Sequence, residues 1–401
     1  MRNAAIGPLM MLMSLSFSCT GDSGPGDEGK ANEPDVRIKR IMRSLRSAQG
    51  DEEQPTGEFT LEDRMAHYCV PGVSIAVIHN GSVEWARGYG ERTAGTGDRV
   101  QPDTLFQAAS ISKPLTAFAA LRLVDDAVLS LDADVNDHLR SWKVAENEFT
   151  VDEKVTLRRL ITHRAGVNVP WYRGYRKGEA VPALNEVLAG ASPANSEPVQ
   201  VFRTPGTRGV YSGGGYCIIQ RLLMDVTETS FPGLMGRLVL KPLNMGRSMF
   251  AQPLPEARAP YVAAGHGPGG EPIDGRWRTY PELAAAGLWT TASDLARFAI
   301  GVQNAAAQNP DALLAPDTAQ MLVTRQFENF SLGLPIRGRD GNRWFTHNGI
   351  NDGYCSVMYA YVELGFGAVI MTNSDNGMEL AREIIVAIAE EYDWPDFAPE
   401  P

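Results

Sequence analysis

Apolar and polar positions divide the chain into stretches of different period. From Val70 to Gly90 the sequence reads VPGVSIAVIHNGSVEWARGYG, two β-rich runs on either side of His79-Asn80-Gly81. Asn-Gly tolerates the positive φ that a tight hairpin turn demands, so the stretch predicts two antiparallel strands. Just before it, TLEDRMAHY from Thr60 has a capping residue and acids in its first turn, which predicts a helix start. Helical periodicity broken by Gly/Pro loops occupies about 110 to 250, and 251 to 280 is loop-like. TTASDLARFAIGVQ restores a capped helix. NRWFTHN, YCSVMYAYV and FGAVIMTN then read as three strands, and MELAREIIVAIAEEY as a helix that covers them. The links between these strands are too short for parallel crossovers, so they are expected to be antiparallel. The layout predicts an α/β fold: one lobe from residues 60–120 and 280–401, and an inserted, mostly helical lobe from 121–279. No repeat of 20–50 residues is visible.

The N-terminal region breaks this pattern. Met1-Arg2, the short apolar run IGPLMMLMSLSF and Ser18-Cys19 read as an export signal over residues 1–19. Cys19 stands where bacterial lipoproteins are acylated, although Ser16 replaces the usual apolar residue three places earlier. Cleavage by ordinary signal peptidase is the alternative. Both put the mature chain outside the cytoplasm, as a periplasmic protein or a lipoprotein tethered to the membrane through Cys19. Residues 20–35 are rich in Gly, Asp, Glu and Pro, VRIKRIMRSLR has the spacing of a short basic helix, and SAQGDEEQPTGE is polar again. The whole of 20–59 is expected to act as a flexible linker.

Charge and composition narrow the functions. A net charge of −11 disfavours a nucleic-acid partner. No internal stretch reaches the roughly 18 apolar residues a membrane span needs. Cys19, Cys69, Cys217 and Cys355 form no disulfide framework; a Cys217–Cys355 bridge is open to an exported chain, and free buried thiols are the preferred expectation. The histidines show no metal-site spacing, and neither metal nor cofactor is expected.

Candidate chemistry begins at FQAASISKPLTA. Ser110 and Lys113 are three residues apart, on one face of a helix that Pro114 requires to start nearby. A hydroxyl at the positive end of a helix, beside an amine, is a favourable place for an alkoxide to develop. By itself the pair is equally a capping serine with a snorkelling lysine. Two further segments change that balance. RTPGTRGVYSGGGY places Tyr211-Ser212 before a glycine cluster, and RWFTHNGINDGY places His347-Asn348-Gly349 at a strand end.

In this order the three pieces resemble serine hydrolases related to class C β-lactamases and D-alanyl-D-alanine carboxypeptidases, a group that also holds esterases and D-aminopeptidases. The likeness extends to VPGVSIAVIHNGSVEWARGYG, LITHRAGV, LKPLNMGRSMF and AAAGLWTTASDLARF, over roughly 60 to 390. It implies an antiparallel sheet flanked by helices with the helical lobe inserted. It implies Ser110 as an acylated nucleophile, activated by Lys113 and Tyr211, with His347 where many relatives carry lysine. The backbone N–H groups of Ser110 and Ile350, next to Gly349, would form the oxyanion hole. Gly213 falls where relatives carry the asparagine that holds substrate amides.

Ionising a tyrosine at pH 7 costs about 4 kcal/mol. One cation about 4 Å away at an effective dielectric near 20 offsets roughly that much. Tyr211 beside Lys113, helped by a protonated His347, is therefore one candidate base, and a neutral Lys113 is the other. Gly213 and His347 both point away from efficient β-lactamase action and toward esters or D-amino-acid peptides and amides. A penicillin-binding sensor that acylates without turnover is the competing expectation. The expected partner is a small-molecule or peptidoglycan-type substrate. Trp171, Tyr172 and Tyr175 are candidates for an acyl pocket or for loop packing, and His163 is expected to satisfy backbone groups near the cleft.

Overall fold

The computed structural model describes residues 33–47 and 57–397. The signal segment and Cys19 lie outside the described residues. Eight strands are present among these: β1 (Gly72–His79), β2 (Ser82–Gly90), β3 (Phe106–Gln107), β4 (Trp289–Thr290), β5 (Ile336–Arg337), β6 (Trp344–Asn351), β7 (Tyr354–Tyr361) and β8 (Gly367–Thr372). Six form one antiparallel sheet in the order β2-β1-β8-β7-β6-β5, while β3 and β4 pair as a short ribbon. Asn80 (φ 51°) and Gly81 (φ 69°) make the tight turn between β1 and β2, as the Asn-Gly step predicts. The three late strands are antiparallel neighbours, joined by short connections.

Helices cover both faces of the sheet. They are α1 (Glu33–Ile41), α2 (Leu61–His67), α3 (Ser112–Asp125), α4 (Leu157–Ile161), α5 (Leu184–Ala189), α6 (Gly213–Thr227), α7 (Phe231–Met235), α8 (Leu283–Ala286), α9 (Ala292–Ala306), α10 (Pro316–Val323) and α11 (Gly377–Glu391). The alternation of β1 explains the layering. Ala76 and Ile78 join the core shared with α3, α6 and α9, whereas Val73, Ile75 and Val77 join a second core under α11 and α2. Thr60 caps α2 in a reciprocal box with Asp63, and Thr291 caps α9, both at the residues that signal helix starts.

The expected linker over 20–59 needs correction where the structure describes it. Residues 33–41 form α1, which packs on α11 and buries Ile38 and Ile41, with Met42 and Leu45 just beyond. Arg37 pairs with Glu84 at 3.2 Å, and Arg40 pairs with Glu391. The short helix that the spacing of VRIKRIMRSLR predicts is present, and four apolar side chains of this stretch are buried. These suffice to dock it, because α11 and the β1–β2 hairpin offer a matching apolar and acidic surface.

Candidate active site

The first catalytic segment follows the β3 ribbon. A single 3-10 turn, Ala109–Ile111, carries Ser110 and leads directly into α3, so Pro114 falls in the first turn of the helix, where its missing N–H is harmless. Ala109 holds φ 48°, a left-handed conformation unusual for a residue with a Cβ. Ser112 fixes the turn from below: its hydroxyl donates to Ala109 O (2.6 Å) and accepts from Leu288 N (3.0 Å). Lys113 is buried, and its Nζ donates to Ser110 Oγ (3.0 Å) and to Ala285 O (2.8 Å). The helical spacing of serine and lysine thus becomes a direct hydrogen bond.

Tyr211 arrives from a distant part of the chain. It lies two residues before α6, and its ring centroid is 4.9 Å from Lys113 Nζ. His163 packs against the same Tyr211 ring at 4.4 Å between centroids. The tyrosine keeps 37% of its surface exposed, so a substrate can reach it. His163 is itself at φ 57°, and its Nδ1 accepts from Ser212 N (3.1 Å), which leaves the ring proton on Nε2. Burial, with the Lys113 charge behind it, holds His163 well below the usual imidazole range. It is a neutral prop for the Tyr211 segment, in keeping with the backbone-satisfying role expected of it.

Strand β6 supplies the third wall. His347 is buried on it, with Nδ1 2.8 Å from Asn348 O. Burial, with the Lys113 charge adding to it, depresses His347 to about 4. The expectation of a protonated His347 at neutral pH is therefore wrong: burial beside one positive charge prevents a second. Gly349 lies so close to the nucleophile turn that a Cβ there would come within 2.1 Å of Ala108 O. Only glycine lets β6 approach this closely. The hairpin to β7 closes at Asn351 and Tyr354, and antiparallel alternation then turns Ile350 N–H away from β7. Strand β5 pairs only with Trp344 and Phe345, which leaves that edge open. The Ile350 side chain is exposed.

Gly213 has a structural explanation. A Cβ there would meet Tyr172 Cε2 at 3.0 Å and Pro170 O at 3.3 Å, so the Tyr172 ring lies against the place a side chain would need. The 168–172 loop holds the start of α6 directly: Pro170 O accepts from Gly213 N, Val169 O from Gly214 N, and Asn168 O from Ser212 Oγ. Val169, a β-branched residue at φ 57°, is a conformational outlier on that loop. Of the three candidate aromatics, Tyr172 and Tyr175 are packed inside, and Trp171 stands 74% exposed.

Sequence reading included the AAAGLWTT segment in the family likeness but missed the backbone acceptor Ala285 O, because a carbonyl among three alanines has no side-chain signal. It also missed Glu282, a lone acid between Pro281 and an apolar run. Cys217 and Cys355 are buried free thiols, and Cys69 is free and exposed. Among the described residues no group of three or more His, Cys, Asp or Glu is placed to hold a metal ion, and no helix is long and apolar enough to cross a membrane.

A serine and a lysine in hydrogen bond, an adjacent tyrosine, and a strand edge packed on the serine's turn stand in a fold of the class C β-lactamase and penicillin-binding-protein kind. The chain belongs to the Beta-lactamase family, whose model matches residues 60–393. This is a family of serine acyl-transferases and hydrolases, β-lactamases and carboxypeptidases among them. Penicillin-binding protein 4 of Amycolatopsis lactamdurans is 29% identical over 349 residues, covering 81% of this chain and 87% of the relative. Protein flp of Staphylococcus aureus is 25% identical over 315 residues, 76% of this chain. The chain spans only 60% of the length of flp. The fold is shared with D-alanine carboxypeptidase AmpC from Burkholderia cenocepacia (TM-score 0.68, 19% identity, 89% of this chain and 99% of that one). It is shared too with the octameric penicillin-binding protein homologue from Pyrococcus abyssi (TM-score 0.64, 24% identity, 83% and 77%).

Proposed function

We propose that the chain is a serine hydrolase that turns over small, uncharged carboxylic esters or D-amino-acid amides through an acyl-enzyme on Ser110. The observation that carries this reading is Lys113 Nζ, hydrogen-bonded to Ser110 Oγ at 3.0 Å and 4.9 Å from the exposed Tyr211 ring. In the first step Ser110 Oγ bonds to the substrate carbonyl carbon and its proton passes to the Lys113–Tyr211 pair. The bond to the leaving group then breaks, and that proton goes to the leaving alcohol or amine. In the second step water attacks the acyl carbon, the Oγ–C bond breaks, and the water proton returns through the pair to Ser110. Such a base contributes about 10²–10⁴ in rate. Ser110 N–H and the outward-facing Ile350 N–H are the candidate oxyanion donors, each worth on the order of 10²–10³.

Three features favour uncharged substrates. His347 is neutral at pH 7 and offers no cation to a carboxylate. Gly213 supplies no side-chain amide. Exposed apolar side chains are at hand, Tyr211 and Ile350 on two of the site's segments and Trp171 on the loop that holds the start of α6. Gly213 alone favours the second reading, a penicillin-binding sensor that acylates without turnover, and a β-lactamase is the third. Export, lipidation of Cys19 and a peptidoglycan-type substrate rest on the sequence alone.

Purified protein with p-nitrophenyl butyrate, nitrocefin and a D-alanyl peptide distinguishes these readings. Continuous ester release that disappears in Ser110→Ala is expected. One stoichiometric burst would replace the hydrolase by the sensor, and faster nitrocefin than ester turnover would make it a β-lactamase.

A further inference from the structure

Among the buried carboxyls of the described residues that the acyl-transfer chemistry does not use, Glu282 is the one with neither oxygen paired to another residue. Glu282 directly precedes α8, is fully buried, and has no hydrogen-bond partner for either side-chain oxygen among the described residues. A polar group in that state is costly and demands a reason. The segment it heads, residues 281–288, is bonded to all three parts of the site. Ala285 O accepts from Lys113 Nζ. Ala286 O accepts from Asn351 Nδ2 (3.3 Å), four residues past His347 on β6. Gln220 of α6, the helix that follows Tyr211, accepts from Ala284 N (3.0 Å) and donates to Pro281 O (3.3 Å). Leu288 N donates to Ser112 Oγ, under the nucleophile turn.

We propose that Glu282 is a positioning residue: its uncharged carboxyl lets residues 281–288 clamp Lys113, α6 and β6 in register, and its ionisation slackens that clamp and lowers the reactivity of Ser110. The inference rests on the acyl-enzyme reading above. A charge appearing at Glu282 would have no hydrogen bond from another residue to stabilise it, only the pull of its own backbone N–H, and the segment would have to move to hydrate it. Burial holds the carboxyl up at about 8, so it is uncharged at neutral pH and titrates just above it. The titratable groups acting with it are Tyr172 and Tyr175 of the neighbouring loop, Cys217 of α6 and Tyr280 of its own segment. Burial pushes all four up, so none adds a compensating charge. Lys113 of α3 also acts on Cys217 and is the cation of this neighbourhood.

The test uses the full chain with p-nitrophenyl acetate as probe, comparing kcat/KM of the parent, Glu282→Gln and Glu282→Met from pH 6 to 9.5. The parent is expected to lose about 10-fold between pH 7 and 9 beyond any loss in Glu282→Gln, because a group titrating near 8 is mostly protonated at the first pH and mostly ionised at the second. Its Tm should also fall from pH 5 to 8 relative to that of Glu282→Gln. Identical pH profiles overturn the proposal, as do parallel Tm curves. Failure of both variants to fold at pH 7 makes the residue purely structural and overturns it too. A separate result, Ser110→Ala as active as the parent, removes the acyl-enzyme reading. The Tm comparison needs no turnover and still decides whether Glu282 carries the charge.

Discussion

At the scale of single residues, the site depends on where protons can reside. Lys113 touches both the nucleophile and a fixed carbonyl, so removing it takes away the partner of Ser110 and leaves Ala285 O unpaired. Lys113→Ala is expected to lower kcat for a p-nitrophenyl ester by about 10²–10⁴, and Tyr211→Phe to fall in the same range, both read in steady-state assays. His347 gives a prediction with a sign. It gains charge only as pH falls toward about 4, so a cation for an anionic substrate appears only in acid. The kcat/KM ratio of a sulfonated ester to its neutral counterpart should rise from pH 7 to 4.5, the sulfonate itself staying charged throughout. A flat ratio would show that His347 does not face the substrate.

At the scale of elements, two close approaches position the chemistry. Strand β6 meets the nucleophile turn through Gly349, and a methyl group there has nowhere to go, because the obstructing atom is the backbone oxygen of Ala108. Gly349→Ala should push β6 away and reduce turnover by at least about 100-fold, as expected when oxyanion donors shift. The second approach is the Ser112 tie between the nucleophile turn and Leu288. Ser112→Ala leaves a buried N–H unpaired and should cost roughly 1–3 kcal/mol in a denaturant titration. These elements differ in how openly the sequence announces them. The Asn80-Gly81 turn and the Thr60 and Thr291 caps are local chemistry, and each appears where the local signal places it. The short helix over VRIKRIMRSLR was legible from its spacing, but its docking was not, because Ile38, Ile41, Met42 and Leu45 acquire a partner only against α11, far away in the chain.

At the scale of the whole molecule, stability has two supports separate from catalysis. Arg64 and Glu383 form a buried bidentate pair (2.7 and 2.6 Å) that ties α2 to α11, with Tyr68 donating to the same carboxylate. Glu383→Ala removes the carboxylate that balances a buried guanidinium and should cost about 3–5 kcal/mol in unfolding free energy, with kcat per folded molecule unchanged. The pH dependence follows from groups around the site. His163 and His347 are depressed in the folded state, so the stability they contribute is complete above the unfolded value of 6.5 and is lost as pH falls, for His347 through about 4. Glu282 works in the opposite direction: its stability contribution is complete below 4.5 and is lost as pH rises through about 8. Calorimetry across pH 4–9 should therefore show Tm declining toward both ends of that range.

The sequence by itself determined the strands, the capped helices and the serine–lysine pair, because these depend on period, turn chemistry and spacing within a few residues. The motif order carried the likeness to a known family, and with it Tyr211 and His347. Only the tertiary structure decided that burial holds His347 low, that Gly213 yields to the Tyr172 ring, and that an alanine carbonyl holds Lys113. Each of these depends on burial and on neighbours brought from distant parts of the chain, and desolvation and steric exclusion have no local signature.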